Sequence, residues 1–151
     1  MKTSKAVPII LRRTAECTEI LVFTHPQAGV QFVKGTVEQD ESVIEAAARE
    51  LTEESGVSGA VYVRDLGTWE SCPRGQVWHF QEMHIAEELQ DSWEHFTTDG
   101  GGHMFRFHWH PLDEQPTNTW HPVYLAALRF VRERLATSSI QHATGAPSGA
   151  A

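Results

Sequence analysis

Most of the chain shows the alternating or continuous apolar patterns of β-strands. Six such runs lie at residues 6–12, 19–24, 30–34, 60–69, 76–86 and 104–109. A polar turn joins the first two runs, which predicts a β-hairpin. A turn at residues 71–75, containing Pro and Gly, joins the fourth run to the fifth. Residues 87–102 are acidic and then glycine-rich, which predicts a long loop.

Two segments carry the period of a helix instead. The first covers residues 42–55. Ser42 followed by Glu45 is a capping-box start, and Gly56 occupies the position of a left-handed C-terminal cap. The second covers residues 121–135 and is amphipathic. Together with the strands, these helices predict a mixed β-sheet between helices, an α/β/α sandwich.

The helix at residues 42–55 has one apolar and one charged side. Its apolar stripe consists of Ile44, Ala47, Ala48 and Leu51. Arg49 and three glutamates occupy the opposite side, away from the core. Glu50, Glu53 and Glu54 span an arc of roughly 140°. Like charges this close repel one another unless a cation lies among them, so the pattern predicts a site for a hard divalent cation.

A longer motif surrounds these glutamates at residues 35–57. The stretch reads Gly35, five residues, Glu41, seven residues and then RELTEESGV. It resembles the signature of the Nudix hydrolase family, G-x5-E-x7-R-E-U-x-E-E-x-G-U with U a bulky aliphatic residue, at all nine specified positions. A chance match in a chain of this length is on the order of one in ten million.

The resemblance implies metal-dependent hydrolysis of a diphosphate bond by water attack on phosphorus, with Mg²⁺ or Mn²⁺ as cofactor. A cation that bridges phosphate oxygens neutralises their charge and lowers the pKa of bound water. By this resemblance Glu53 and Glu54 are metal ligands, and Glu50 is a further ligand or the general base. The backbone carbonyl of Lys34 is expected as an additional ligand.

Other motif positions have expected structural roles. Arg49 lies eight residues after Glu41 and four before Glu53, so we expect it to orient these carboxylates rather than to contact the substrate. Gly35 is expected to permit an unusual backbone turn. Gly56 is expected to cap the helix.

Many Nudix enzymes use one more carboxylate from a loop after this motif, either as a ligand or as a base. The acidic loop offers Glu87, Glu88, Asp91, Glu94 and Asp99. We favour Glu94, which lies before the returning strand and is flanked by Trp93 and His95. Its expected role is catalytic.

The tryptophans divide by their place in the pattern. Trp69, Trp78 and Trp109 lie within predicted strands and are expected in the core. Trp93 and Trp120 lie in or beside loops, where either could stack on a nucleobase of the substrate. Phe105, Phe107 and Trp109 are expected on one strand face.

Two histidines invite a zinc interpretation. His108 and His110 alternate onto one face of the last strand. Neither a cysteine nor a third histidine has suitable spacing, which favours a packing or surface role for both.

The substrate is less well defined by the sequence. Pro73 lies sixteen positions beyond Val57, a placement similar to that in ADP-ribose pyrophosphatases, and Arg74 could bind phosphate or ribose. Proline in a turn also has a sufficient structural reason. A nucleoside triphosphate or dinucleoside polyphosphate pyrophosphohydrolase is the alternative enzyme. A non-catalytic nucleotide-sensing module is the alternative of another class, although such modules usually lack a motif glutamate and this chain retains them all.

Composition bounds the remaining properties. The net charge of -8 disfavours nucleic-acid binding through a basic surface. Cys17 and Cys72 lack a paired framework, and neither a signal peptide nor a membrane-spanning run is apparent, which predicts a reduced, cytoplasmic protein without a membrane partner. One domain is expected over residues 1–136, with a disordered tail at 137–151. Whether the chain forms a homodimer stays open, because no residue pattern decides the oligomeric state.

Overall fold

The computed structural model describes residues 2–70, 75–98 and 101–145, with residues 138–145 described by their backbone alone. The elements in chain order are β1 (Thr3–Arg13), β2 (Thr18–His25), β3 (Gly29–Gln31), β4 (Gly35–Thr36), α1 (Val43–Ser55), β5 (Val61–Trp69), β6 (Gln76–His84), β7 (Ser92–Thr97), β8 (His103–Pro111) and α2 (Pro122–Gly145). Within this part of the chain, no helix combines the length and apolarity needed to cross a membrane.

The strands form one mixed sheet in the order β5-β6-β1-β2-β8-β7, with β3 against β2 and β4 against β1. The predicted hairpin of β1 and β2 is confirmed, but these strands pair only at the end of β1, from Leu11 to Arg13. Nearer the start of β1, Ala6 pairs with Gly35 of β4 instead. Strand β4 therefore lies beside β1 where β2 has diverged from it.

Each face of the sheet packs against one helix. Alternate side chains of β1 point to opposite faces, so Val7 and Ile9 join the core beneath α2, while Ala6 and Ile10 join the core beneath α1. The predicted α/β/α sandwich is confirmed. The two cores are separate clusters with the sheet between them.

Strand β7 corrects the long loop predicted at residues 87–102. Residues 92–97 form an edge strand paired with β8. Trp93 and His95 alternate there with Glu94 and Phe96, which is a period-two pattern. The acidic composition of the flanking residues obscured it. Of the turn predicted at residues 71–75, residues 71–74 lie outside the described part of the chain.

Helix α2 is longer than predicted. Residues 137–145, expected to belong to a disordered tail, continue the helix to Gly145. Apart from the terminal glycine these residues include no helix breaker, so the small and polar composition does not end the helix. Residues 146–151 of the expected tail lie outside the described part of the chain.

Candidate active site

Helix α1 begins and ends where the sequence predicts. The Ser42 hydroxyl accepts a hydrogen bond from the backbone N–H of Glu45 at 3.0 Å, and the Glu45 carboxylate accepts one from the backbone N–H of Ser42 at 3.1 Å. At the other end, Gly56 has a φ of 78° and donates its N–H to the carbonyl of Thr52 at 2.9 Å. These caps fix both ends of the helix that carries the glutamates.

The side of α1 that is buried differs from the predicted stripe. Its buried residues are Ala46, Ala47, Glu50, Leu51, Glu54 and Ser55. Ile44, predicted to lie in the stripe, is 39% exposed, whereas Glu50 and Glu54 are only 7% and 8% exposed. Helix α1 packs against β4 as well as against the main strands, so part of its charged side also faces protein.

Gly35 leaves room for the side chain of Glu50. A Cβ atom built at Gly35 would collide with the carboxylate of Glu50. The backbone of Gly35 lies in β4 and is not in the left-handed region. The predicted reason for this glycine, an unusual backbone turn, is therefore wrong, and close approach of Glu50 is the reason the structure gives.

Arg49 lies at the centre of the acidic cluster. Its Nε and Nη2 donate to the two carboxylate oxygens of Glu41 at 2.7 and 2.9 Å. Its Nη1 donates to Glu50 at 2.8 Å and to Glu53 at 3.2 Å, and its Nη2 also donates to the carbonyl of Thr36 at 2.9 Å. One guanidinium thus connects the loop before α1 to the carboxylates on it.

The pairing of Arg49 with Glu41 shifts the proton affinity of both groups. The hydrogen bond from Arg49, helped by one from the backbone N–H of Glu38, lowers the pKa of Glu41 from 4.5 to about 2. The hydrogen bond with Glu41 in turn raises the pKa of Arg49. The ion pair is charged throughout the neutral range.

The donor atoms are of the type that a hard divalent cation binds, although those of Glu50 and Glu53 contact Arg49 in this structure. Glu50, Glu53 and Glu54 supply carboxylate oxygens, the donor type that Mg²⁺ and Mn²⁺ prefer. Among the described residues, no three His, Cys, Asp or Glu side chains are close enough together to hold a metal ion. Two of the three glutamates contact the guanidinium of Arg49 instead.

The side chain of Lys34 points away from the glutamates. Its Nζ lies 4.3 Å from the centroid of the Trp78 ring and 5.9 Å from that of Tyr124, in the core beneath α2. This cation–π contact fixes the residue that precedes Gly35. The role of the Lys34 carbonyl as a ligand stays a prediction.

Glu94 is not brought to the glutamates of α1. Trp93 pairs with Phe107, whose side chain lies beneath α1, and Glu94 pairs with Arg106. Because neighbouring residues of a strand point to opposite faces, Glu94 points away from α1. Its carboxylate is 55% exposed and lies 3.8 Å from the Arg106 guanidinium.

The two candidate tryptophans both make packing contacts. Trp93 stacks on Phe107 with ring centroids 5.3 Å apart, and its Nε1 donates to the carbonyl of Ser55 at 2.8 Å. Trp120 is 5% exposed and packs against Phe32. Both stabilise the fold. Of the three tryptophans expected in the core, Trp78 is fully buried, and Trp69 and Trp109 are partly buried against the two cores.

The remaining acidic candidates lie at another place. Glu87, Glu88 and Asp91 line a cavity of about 610 Å³ at the end of β1, which no residue of the 35–57 motif lines. Asp91 accepts a hydrogen bond from Arg12 at 2.9 Å. The structure does not bring these carboxylates to the glutamates of α1. Arg74 and Asp99 lie outside the described residues.

The two histidines proposed as a zinc alternative have packing roles. His108 shares a hydrogen bond of 3.0 Å with the hydroxyl of Thr24. His110 is buried against Trp120, and its Nε2 donates to the carbonyl of Glu114 at 2.9 Å. These contacts agree with the favoured packing role, which stays a prediction.

Sequence reasoning missed one histidine that touches the motif. A Cβ atom built at Gly56 would lie 2.9 Å from Nδ1 of His95, so this ring packs directly against the end of α1. The alternation of Trp93 and His95 along β7 was the signal that could have indicated it.

Comparisons with known proteins agree with the motif. Residues 2–129 match the family model described as the NUDIX domain. Nudix hydrolase 12 of Arabidopsis thaliana, named as mitochondrial, is 36% identical over 84 residues, which cover 48% of this chain and 41% of that protein. Nudix hydrolase 18 of the same plant, also named as mitochondrial, is 39% identical over 77 residues, covering 48% and 43%. The chain thus spans less than half the length of these relatives.

Solved structures show the same architecture. The NUDIX domain of NrtR from Shewanella oneidensis, complexed with ADP ribose, has a TM-score of 0.64 and 18% identity, with 89% of each chain covered. An ADP-ribose pyrophosphatase from Streptococcus suis has a TM-score of 0.63 and 16% identity, with 88% of this chain and 91% of that one covered. These likenesses establish the fold.

Proposed function

The chain belongs to the Nudix family, and on that premise we propose that it is a pyrophosphohydrolase. It hydrolyses a diphosphate bond in a nucleoside diphosphate linked to another moiety, by attack of water on phosphorus, with Mg²⁺ or Mn²⁺. One observation carries the proposal: the motif is complete, and Arg49 connects three of its four glutamates, Glu41, Glu50 and Glu53.

The residues of the cluster have separate proposed roles. Glu53 and Glu54 would hold the cation, with Glu50 as a further ligand or as the general base. The bound cation neutralises phosphate oxygens and lowers the pKa of water. Arg49 restrains Glu50 and Glu53, while the buried face of α1 keeps the carboxylates fixed relative to β4.

An ADP-ribose-like nucleotide sugar is the substrate we favour. Support comes from one neighbour that binds ADP ribose and another that is named as an ADP-ribose pyrophosphatase. Arg74 stays the proposed contact to phosphate or ribose. Nucleoside triphosphates and dinucleoside polyphosphates are the alternative substrates.

A panel of nucleotides with Mg²⁺ tests the proposal. ADP-ribose plus water is expected to give AMP and ribose 5-phosphate, while ATP and a dinucleoside polyphosphate test the alternative. Glu53→Gln protein, purified in parallel, controls for contaminating activity. If no nucleotide is hydrolysed while one binds tightly, the non-catalytic sensing module replaces the enzyme.

Four further expectations accompany this proposal. The family match supports one catalytic domain, predicted over residues 1–136. The cytoplasmic location stays a prediction, and the plant relatives are named as mitochondrial. A homodimer is tested by measuring the size of the protein in solution. The small-molecule partner is tested by the nucleotide panel.

A further inference from the structure

Helix α1 crosses the sheet between two fixed contacts. At one side, Glu50 lies against Gly35 of β4, which pairs with β1. At the other side, Trp93 of β7 donates to the carbonyl of Ser55, and His95 packs against Gly56. Strands β2 and β8 lie between β1 and β7 in the sheet, so α1 passes over them.

A row of aromatic side chains on β2 and β8 passes beneath this helix. Phe23 and Phe105 are buried in the core beneath α1, with their rings stacked at 4.2 Å. His25 and His103 lie two positions along the same strands and therefore point to the same face. The two imidazole rings are 4.7 Å apart, and His25 also lies 5.3 Å from the Phe105 ring.

Strand register shows on which side of α1 the histidines emerge. Strands β1 and β2 run antiparallel with Arg12 opposite Glu19. That pairing ends at Leu11 and Ile20, and β2 continues to His25 towards the end of the sheet at which Ala6, near the start of β1, pairs with Gly35. His25 and His103 are thus at the end of the sheet where Glu50 meets Gly35, and the cavity at Arg12 is at the opposite end.

The hydrogen bonding of His25 makes it a suitable donor. Its Nδ1 accepts the backbone N–H of Gln27 at 3.0 Å, so the neutral ring carries its proton on Nε2. Burial, and secondarily the neighbouring His103, lowers the pKa of His25 and favours the neutral ring. A polyanionic substrate that approaches three glutamates needs such donors nearby, because the carboxylates repel it.

We propose that His25 and His103 form a binding pair for a phosphate oxygen of the nucleotide, at the edge of the site beside Glu50. This inference rests on the proposed function. His25 supplies its Nε2–H, and His103 borders the same oxygen. Both are binding residues and take no part in proton transfer to the leaving group.

Two substitutions of His25 separate its two nitrogen atoms. In His25→Asn, the amide oxygen can still accept the Gln27 N–H, but no donor reaches the Nε2 position. In His25→Gln, an amide N–H reaches that position. His103→Gln tests the neighbouring ring. His84→Gln, at the exposed end of β6 on the cavity side, is the matched control.

The probe for binding is ADP in the presence of EDTA. Its binding is measured by calorimetry and by changes in the imidazole ¹⁵N NMR signals. His25→Asn should weaken ADP binding about tenfold. For the nucleotide that the protein hydrolyses, KM should rise about tenfold, while kcat should change by less than about twofold. His25→Gln should recover most of the affinity, and His84→Gln should match the unchanged protein. The signals of His25 and His103 should shift when ADP is added.

Two results would overturn the pair. One is unchanged ADP affinity in His25→Asn together with imidazole signals that do not move. The other is equal weakening in His25→Asn and His25→Gln, which would show that the ring packs rather than donates. If no nucleotide is hydrolysed, the enzyme proposal fails, but the ADP measurements still decide the binding pair.

Discussion

The carboxylate of Glu50 occupies the space where a side chain on Gly35 would be. This contact links strand β4 to the middle of helix α1. It explains a motif glycine by the close approach of Glu50, for which we propose a role as metal ligand or general base.

Gly35→Ala is therefore expected to displace Glu50 while the fold persists, because the clash is with the movable end of a side chain. Turnover should fall by about 100-fold. The measurements are nucleotide hydrolysis with Mg²⁺ and thermal unfolding. Gly59→Ala is the control: Gly59 has a φ of +80° with open space around it, so its substitution should cost about 1 kcal/mol of stability and leave turnover unchanged. Full activity in Gly35→Ala would contradict the packing explanation.

Glu53→Gln should abolish metal-dependent turnover and weaken Mn²⁺ binding, because it removes one charged oxygen ligand. Its side chain is 46% exposed and its pair with Arg49 is a surface pair, so unfolding free energy should change by only roughly 0–1 kcal/mol. Glu38→Gln removes the same charge from a 70% exposed side chain nearby and should remain active. A folded, active Glu53→Gln protein would remove Glu53 from the ligand set.

Glu94→Gln should leave turnover within about twofold of the unchanged protein, because Glu94 points to the face opposite α1. The sequence favoured the contrary result. Steady-state hydrolysis, with circular dichroism as the check on folding, decides between them. A loss of orders of magnitude in a folded protein would restore Glu94 to the mechanism.

The ion pair of Glu41 with Arg49 predicts how stability depends on pH. Folding lowers the pKa of Glu41 from 4.5 to about 2, so its contribution is present above pH 4.5 and is lost as the pH falls towards 2. Urea unfolding of the unchanged protein and of Glu41→Gln should show a difference above pH 4.5 that disappears near pH 2. A difference in unfolding free energy that is constant across this pH range would show that the charge of Glu41 does not stabilise the protein.

The sequence predicts α1 well because its signals are local. Ser42, Glu45 and Gly56 act within a few residues of themselves, and they determine both ends of the helix. The orientation of the helix about its axis is not local. It depends on the strands against which α1 packs, among them β1, β7 and β4, and the two residues of β4 carry no strand pattern. Ile44 is therefore exposed and Glu54 buried, against expectation.

The sequence could not show which acidic residues between 87 and 99 lie near α1, for a related reason. Proximity to α1 depends on which face of β7 a residue occupies, and a one-residue step changes the face. Trp93 and His95 reach the helix, while Glu94 between them does not. The carboxylate of Glu94 suggested a catalytic role, but only the pairing of β7 with β8 shows to which face of the sheet it points.

The separation of the two cores by the sheet has a practical consequence for handling the protein. Labels or surface linkers attached at exposed positions of α2, such as Arg129 or Glu133, lie on the face opposite the acidic cluster. An immobilised or fluorescently tagged form prepared in this way keeps the approach to the motif open.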